Sequence, residues 1–219
     1  MAKKLIKFIS TEEFRKVLKA EKDNKLKFAY VLAFGSGLRI SEVVGLYEQM
    51  CPVCSNILEN KRVLINVRKV KRLYCDKCDK NFESKETIRS KKIWKIQPLE
   101  SHQVDLQTKQ IKVLGKGGKE RITVINPLFP IKELMLKSLP LRIQRRTLQN
   151  RFKKLCSKTL GKALNFHTLR HGFANHMLNE RNLPMPMVQG FGGWARLDTV
   201  GIYAVANPVQ AIEKVWEGF

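Results

Sequence analysis

NFHTLRHGFANHML, residues 165–178, is the stretch on which the rest of the chain is read. It lies in a segment whose spacing predicts a helix over about 168–181. His167 and Arg170 stand three residues apart, close to one helical turn, so both side chains can point into one site. His171 follows Arg170 directly and reads as a packing residue beside that site; His176 reads as structural filler on the same helix.

Three further stretches share this look of short, charged chemistry. GFGGWARLDTVGIYA, residues 190–204, sets Trp194 after two glycines and Tyr203 nine residues later. IKVLGKGGKERITVI, residues 111–125, holds two β-branched runs, Ile111–Leu114 and Ile122–Ile125, around a glycine loop carrying Lys116 and Lys119. The pattern predicts a hairpin. SGLRISEVVGL, residues 36–46, sets Arg39 at the entrance of a short helix over Ile40–Leu46. Glu42, one turn on, is placed to orient Arg39 or a neighbour.

Around these pieces the periodicity is mostly helical. Ser10 with Glu13 makes a capping box for a helix over about 11–21, and a buried helix runs from Leu26 to Phe34. After Pro130, helices are expected near 130–138, 144–160, 185–191, 197–204 and 208–216. The chain therefore reads as α+β, mainly α with a small β-sheet.

Charge narrows the partner. The 219 residues contain 42 Lys and Arg against 19 Asp and Glu, a formal charge of +23, with 43% hydrophobic residues. That is enough apolar material for a core, so the charge is not the mark of a disordered tail. From Leu134 to Asn179 there is no carboxylate, and Lys137, Arg142, Arg145, Arg146, Arg151, Lys153, Lys154, Lys158, Lys162 and Arg170 fall in that stretch. Such a surface favours a polyanion, with nucleic acid ahead of an acidic membrane face. No apolar run approaches the roughly 18 residues of a membrane span, and MAKKLIKFIS does not read as a secretion signal.

The middle of the chain differs. CPVC at 51–54 and CDKC at 75–78 form two C-x2-C pairs separated by twenty residues. Cys51, Cys54, Cys75 and Cys78 can complete a four-thiolate tetrahedral site, for which zinc is the expected metal. An iron–sulfur cluster and two disulfides are the competing uses. Four thiolates leave no position open for water, which points to a structural ion. Residues 50–98 then form an inserted module within a domain made of 1–49 and 99–219. Cys156, without a paired motif, reads as a buried thiol.

In their order, SGLRISEVVGL, IKVLGKGGKERITVI, NFHTLRHGFANHML and GFGGWARLDTVGIYA resemble the catalytic domain of the tyrosine recombinase (phage integrase) family, in particular its Xer-like microbial and archaeal branch. The resemblance covers about 160 residues, everything outside the cysteine module. It implies that Arg39 and Arg170 clamp a scissile phosphate and that Lys116 is the general acid, with Lys119 competing for that role. It implies that His167 assists proton transfer, Trp194 fills a fifth position and Tyr203 is the nucleophile. The expected activity is site-specific cleavage and rejoining of double-stranded DNA through a 3′-phosphotyrosyl link, with no catalytic metal or nucleotide cofactor. The expected assembly is a dimer or tetramer on DNA, with a monomer allowed in solution, acting on the nucleoid in the cytoplasm or as a viral protein in a host cytoplasm. A type IB topoisomerase-like relaxase and a non-catalytic, zinc-stabilised DNA-binding protein are the alternative readings. The inserted module, expected to be zinc-ribbon-like, and the short segment ahead of the first helix depart from the family pattern.

Overall fold

Helix α2, Asn24–Gly35, is the centre around which the larger part of the computed structural model is built. Asp23 caps it by accepting from the Lys25 and Leu26 N–H groups, and Leu26 together with every residue from Phe28 to Gly35 is buried. A helix apolar on all sides must be surrounded by other elements. Helix α1, Thr11–Ala20, covers one side, started by the expected Ser10–Glu13 capping box. Its Phe14 stacks on Phe34 at 4.2 Å between centroids, and Phe129 meets both rings edge-on. Helix α5, Arg145–Leu160, turns Leu148, Phe152 and Cys156 inward, and Phe152 packs edge-on against Tyr30. Burial pushes the Cys156 thiol up to about 12 and leaves it inert.

The structure describes residues 8–65, 68–83, 91–115 and 118–204. Two compact units divide the chain, one of Met1–Val44 with Pro98–Phe219, the other of Gly45–Gln97. The second unit therefore begins five residues before the expected module. Helix α3, Ile40–Val44, is shorter than the Ile40–Leu46 expectation because Gly45 takes φ 79° and turns the chain into a strand.

In the second unit, β1 (Leu46–Gln49) pairs antiparallel with β5 (Lys92–Ile96). Strands β2 (Glu59–Ile65), β3 (Arg68–Cys75) and β4 (Lys80–Phe82) form a separate antiparallel meander. Among the described residues, Cys51, Leu58, Cys75 and Phe82 form one buried cluster of this unit, with Cys54, Leu73 and Cys78 packed against it.

The first unit continues with a three-stranded antiparallel sheet of β6 (Val104–Asp105), β7 (Gln110–Leu114) and β8 (Glu120–Val124). Val113 pairs with Arg121 and Leu114 with Glu120, the hairpin that the β-branched runs foretell. Only one turn, α4 (Glu133–Leu136), forms where 130–138 was expected to be helical. Then come α6 (His167–Asn175), α7 (Met185–Gly192) and α8 (Asp198–Gly201). The expected helix over 168–181 changes character at His176, where the last turn to Glu180 widens into a π-helix. In this turn the Asn179 amide reaches the Tyr203 carbonyl at 2.9 Å. His176 is buried, with Nδ1 2.7 Å from Glu180 and 3.2 Å from Thr11 Oγ1, which ties α1 to this turn. The expected helix near 208–216 lies outside the described residues. No described helix is long and apolar enough to cross a membrane.

Where α6 crosses α2, a Cβ at Gly172 would stand 2.6 Å from the Ile9 carbonyl oxygen and 2.6 Å from Phe34 Cε2. Backbone on one side and a packed ring on the other leave no room to adjust. Gly172→Ala is expected to lower stability by about 1–3 kcal/mol, the usual cost of overpacking, read as an earlier urea midpoint with unchanged slope.

Candidate active site

Glu42 is 3% exposed, on α3. Arg121 of β8 donates to it through both terminal nitrogens at 2.8 Å, and Arg39 donates through Nη1 at 2.9 Å and its backbone N–H at 2.7 Å. Burial alone would raise the pKa of Glu42, but the two guanidiniums outweigh it and hold the carboxyl below its usual range. Each arginine also grips backbone at the end of α7: Arg121 Nε donates to the Phe191 carbonyl at 3.0 Å and Arg39 Nη2 to the Gly193 carbonyl at 2.8 Å. One carboxylate thus locks α3, the hairpin and the end of α7 together.

Trp194 follows directly. Gly193 closes α7 in the left-handed region at φ 64°, and a Cβ there would meet Arg121 Cδ at 2.7 Å. A Cβ at Gly192 would fall 1.7 Å from Trp194 Cζ3, so the indole lies where only glycine leaves space. The guanidinium carbon of Arg170 stands 4.0 Å from the centroid of this ring. Arg170, on α6, is 1% exposed; its Nη1 donates to the Gly37 carbonyl at 2.5 Å and its buried Nη2 has no partner. Burial first, then Arg39, pushes its pKa down to about 9, so it remains cationic at neutral pH.

Tyr203, just after α8, is 4% exposed and 6.3 Å from the Trp194 ring, centroid to centroid. Its hydroxyl is hydrogen-bonded to His171 Nδ1. Burial raises the phenol pKa, partly opposed by Arg170. Burial, then His167 and Arg170, pushes His171 down to about 4, so at neutral pH its ring is neutral and a weak base for as long as nothing offsets Arg170. His167 packs edge-on against His171 at 4.5 Å between centroids. The protein around its ring, then Arg170 and Arg39, hold His167 below its usual pKa. His167 and Arg170 line a 320 Å³ pocket with Leu38, Ile40, Gln149, Asn165 and Phe166.

The structure therefore brings Arg39, His167, Arg170, Trp194 and Tyr203 together. Lys116 lies outside the described residues. The base of its loop is closed by the Gly115 N–H donating to the Lys119 carbonyl at 2.8 Å, and Lys119 itself is exposed. Two residues gain weight beyond the sequence expectation: Arg121, in the strand after the glycine loop, and His171, expected to pack beside the site. The signal for Arg121 is a buried acid in SGLRISE that needs more than one cation. That for His171 is its place one turn from His167 on the helix facing Tyr203.

The four cysteine Sγ atoms all lie within 4.8 Å of one another, with Cys54–Cys75 at 3.4 Å and Cys51–Cys78 at 4.0 Å. Tetrahedral bonds of about 2.3 Å to a zinc ion would set sulfur atoms about 3.8 Å apart, so the donor set fits such an ion. The spacing exceeds the roughly 2.05 Å of a disulfide, and all five cysteines are free.

The model of the phage integrase family matches residues 87–209, so the chain belongs to that family. Tyrosine recombinase XerC of Haemophilus influenzae (strain PittEE) is 30% identical over 139 residues, covering 56% of this chain and 46% of that protein. XerC of Natranaerobius thermophilus is 28% identical over 150 residues, covering 58% and 49%. The aligned stretches span about half the length of these relatives. Among solved structures, XerA recombinase matches with a TM-score of 0.54 at 17% identity, covering 98% of this chain and 66% of that one. XerH recombinase bound to its difH substrate matches with a TM-score of 0.52 at 17% identity, covering 98% and 55%. The fold is thus the tyrosine recombinase catalytic fold, helices with small sheets.

Glu42→Gln keeps the shape but removes the charge opposing two guanidiniums. It is expected to cost about 3–5 kcal/mol, the range for breaking a buried ion pair, measured by chemical denaturation.

Proposed function

We propose that this chain carries the catalytic centre of a site-specific DNA recombinase that cuts and rejoins double-stranded DNA through a 3′-phosphotyrosyl intermediate. The observation that carries the reading is the Tyr203 hydroxyl bonded to a neutral histidine, in one cluster with two arginines. Arg170 Nη2, buried and unpartnered, is a donor kept for a non-bridging phosphate oxygen, and the part-exposed Arg39 supplies the second charge. Tyr203 Oη attacks phosphorus, its proton passes to His171 Nδ1, and the P–O5′ bond breaks. Lys116 protonates the departing 5′-oxygen in the role that the family resemblance gives it. An incoming 5′-hydroxyl reverses these transfers and rejoins a strand, so the phosphodiester's energy is conserved. His167 supports His171 from the side, and Trp194 walls the pocket under Arg170.

Duplex DNA is the proposed partner. On the outer side of α5, Asn150, Lys153, Lys154, Ser157 and Lys158 line a 700 Å³ depression, and Arg146 and Arg151 are exposed nearby. The Xer-like branch, assembly as a dimer or tetramer on DNA and a place on the nucleoid belong to the same reading. So does a structural zinc ion held by Cys51, Cys54, Cys75 and Cys78, which would contribute folding free energy to the unit around it.

The chemistry is tested with a pool of nicked duplexes randomised around the nick. Wild type should give an SDS-resistant protein–DNA adduct. Tyr203→Phe should bind the pool equally and give none, and His171→Gln should form adduct about 10²–10⁴ times more slowly, the usual worth of a positioned base. A wild-type protein that binds the pool but never links to it defeats the enzyme reading.

For the metal, the purified chain should contain one zinc per protein, released on titrating four thiols with a mercurial. Residues 45–97 should then become protease-sensitive before the remainder. A zinc-free protein with an equally resistant module would reject this assignment.

A further inference from the structure

The catalytic reading leaves unused the small two-stranded ribbon of β1 and β5. Tyr47 and Trp94 are register partners across it, with ring centroids 6.0 Å apart in an edge-to-face arrangement. They are 47% and 49% exposed. Side chains two apart on a strand share a face, so Lys92 joins them, and its Nζ stands 4.9 Å from the centre of the Tyr47 ring. Glu48 and Lys95, one residue along from Tyr47 and Trp94, fall on the opposite face and are paired with each other. The pleat therefore separates the ribbon's acid from its aromatic face. That face presents two rings and a cation with no opposing carboxylate from either strand.

The surrounding unit has the same sign. Between Gly45 and Gln97 there are 13 Lys and Arg against 6 Asp and Glu. Tyr74 in the same unit is a contrast: Lys61 lies 3.1 Å over its ring and its hydroxyl donates to Asp79 at 2.7 Å, so that ring is already engaged. An apolar protein partner would gain little from a face of two rings beside a lysine in a basic unit, whereas a polyanion bearing flat apolar groups matches both features. In duplex DNA the base faces are hidden by stacking. Only unpaired bases expose them, and stacking on an aromatic ring tolerates any base.

We propose that the Tyr47–Trp94 face of this ribbon is a stacking platform for unpaired bases of single-stranded DNA, with Lys92 contacting the adjoining phosphate. It rests on the reading of the chain as DNA-binding and deepens it: strand exchange requires a cut strand to leave its complement, and an unpaired stretch is then the species to be held. The platform is independent of Tyr203 chemistry.

The test uses the full chain and measures binding of fluorescein-labelled oligo(dT) and of a labelled random-sequence duplex, both at elevated salt to suppress backbone attraction. Removing both rings, Tyr47→Ala with Trp94→Ala, is expected to weaken oligo(dT) binding about 10- to 100-fold, the scale of losing one or two stacked bases, and to leave duplex binding within about twofold. Trp94→Phe, which keeps a ring, should retain most oligo(dT) affinity. Retention of four metal-protected thiols in each variant shows that the module is still folded. Equal losses on single strand and duplex, or no loss on either, would overturn the proposal. Because the measurement reads binding alone, a protein that never forms the phosphotyrosyl adduct can still pass it.

Discussion

A single buried carboxylate organises this molecule. Glu42 has almost no contact with water, and desolvating a charge is costly unless the surroundings replace the lost hydration. Here the replacement is a bidentate guanidinium from Arg121 and a second guanidinium from Arg39. Those arginines in turn reach the carbonyls of Phe191 and Gly193. The position of Trp194, and through it the ring that Arg170 lies against, follows from this chain of contacts. Removing the acid would leave two like charges in a confined space, which is why the arrangement behaves as one unit.

The second theme is electrostatic imbalance held ready. Arg170 is buried and close enough to Arg39 for its pKa to fall, and burial with nearby cations holds both His167 and His171 below the usual imidazole range. A site so crowded with positive groups is relieved by an anion. A phosphate would supply the charge that the protein itself withholds, and its arrival would also make His171 a better proton acceptor by offsetting Arg170. On the proposed reading, the same positive groups would both bind it and tune the Tyr203 phenol.

Much of the frame was legible in the residues. The Ser10–Glu13 box, the apolar run of α2 and the β-branched arms of the hairpin all carry local signals, and local signals survive without tertiary information. The convergence of Arg39, His167, Arg170, Trp194 and Tyr203 was legible only through the family resemblance, since no spacing rule links residues so far apart. What escaped depends on distance or on register. The pairing of β1 with β5 joins segments more than forty residues apart, and Leu46 looks like a continuing helix until Gly45 turns the backbone. Arg121 acquires its meaning from a partner on another element. The π-turn at His176–Glu180 is tied to Thr11 and Tyr203 by contacts that leave no local mark in the sequence.

The scattering of the site along the chain has a consequence for how the protein is made. Arg39 emerges from the ribosome early, while Trp194 and Tyr203 lie 155 and 164 positions later. Arg39, Glu42 and Arg121 are made first, but the carbonyls of Phe191 and Gly193 that the two arginines hold, the indole and Tyr203 arrive only near the end. On the proposed reading, a polypeptide that stops before Tyr203 would carry most of the chain's positive charge and lack its nucleophile.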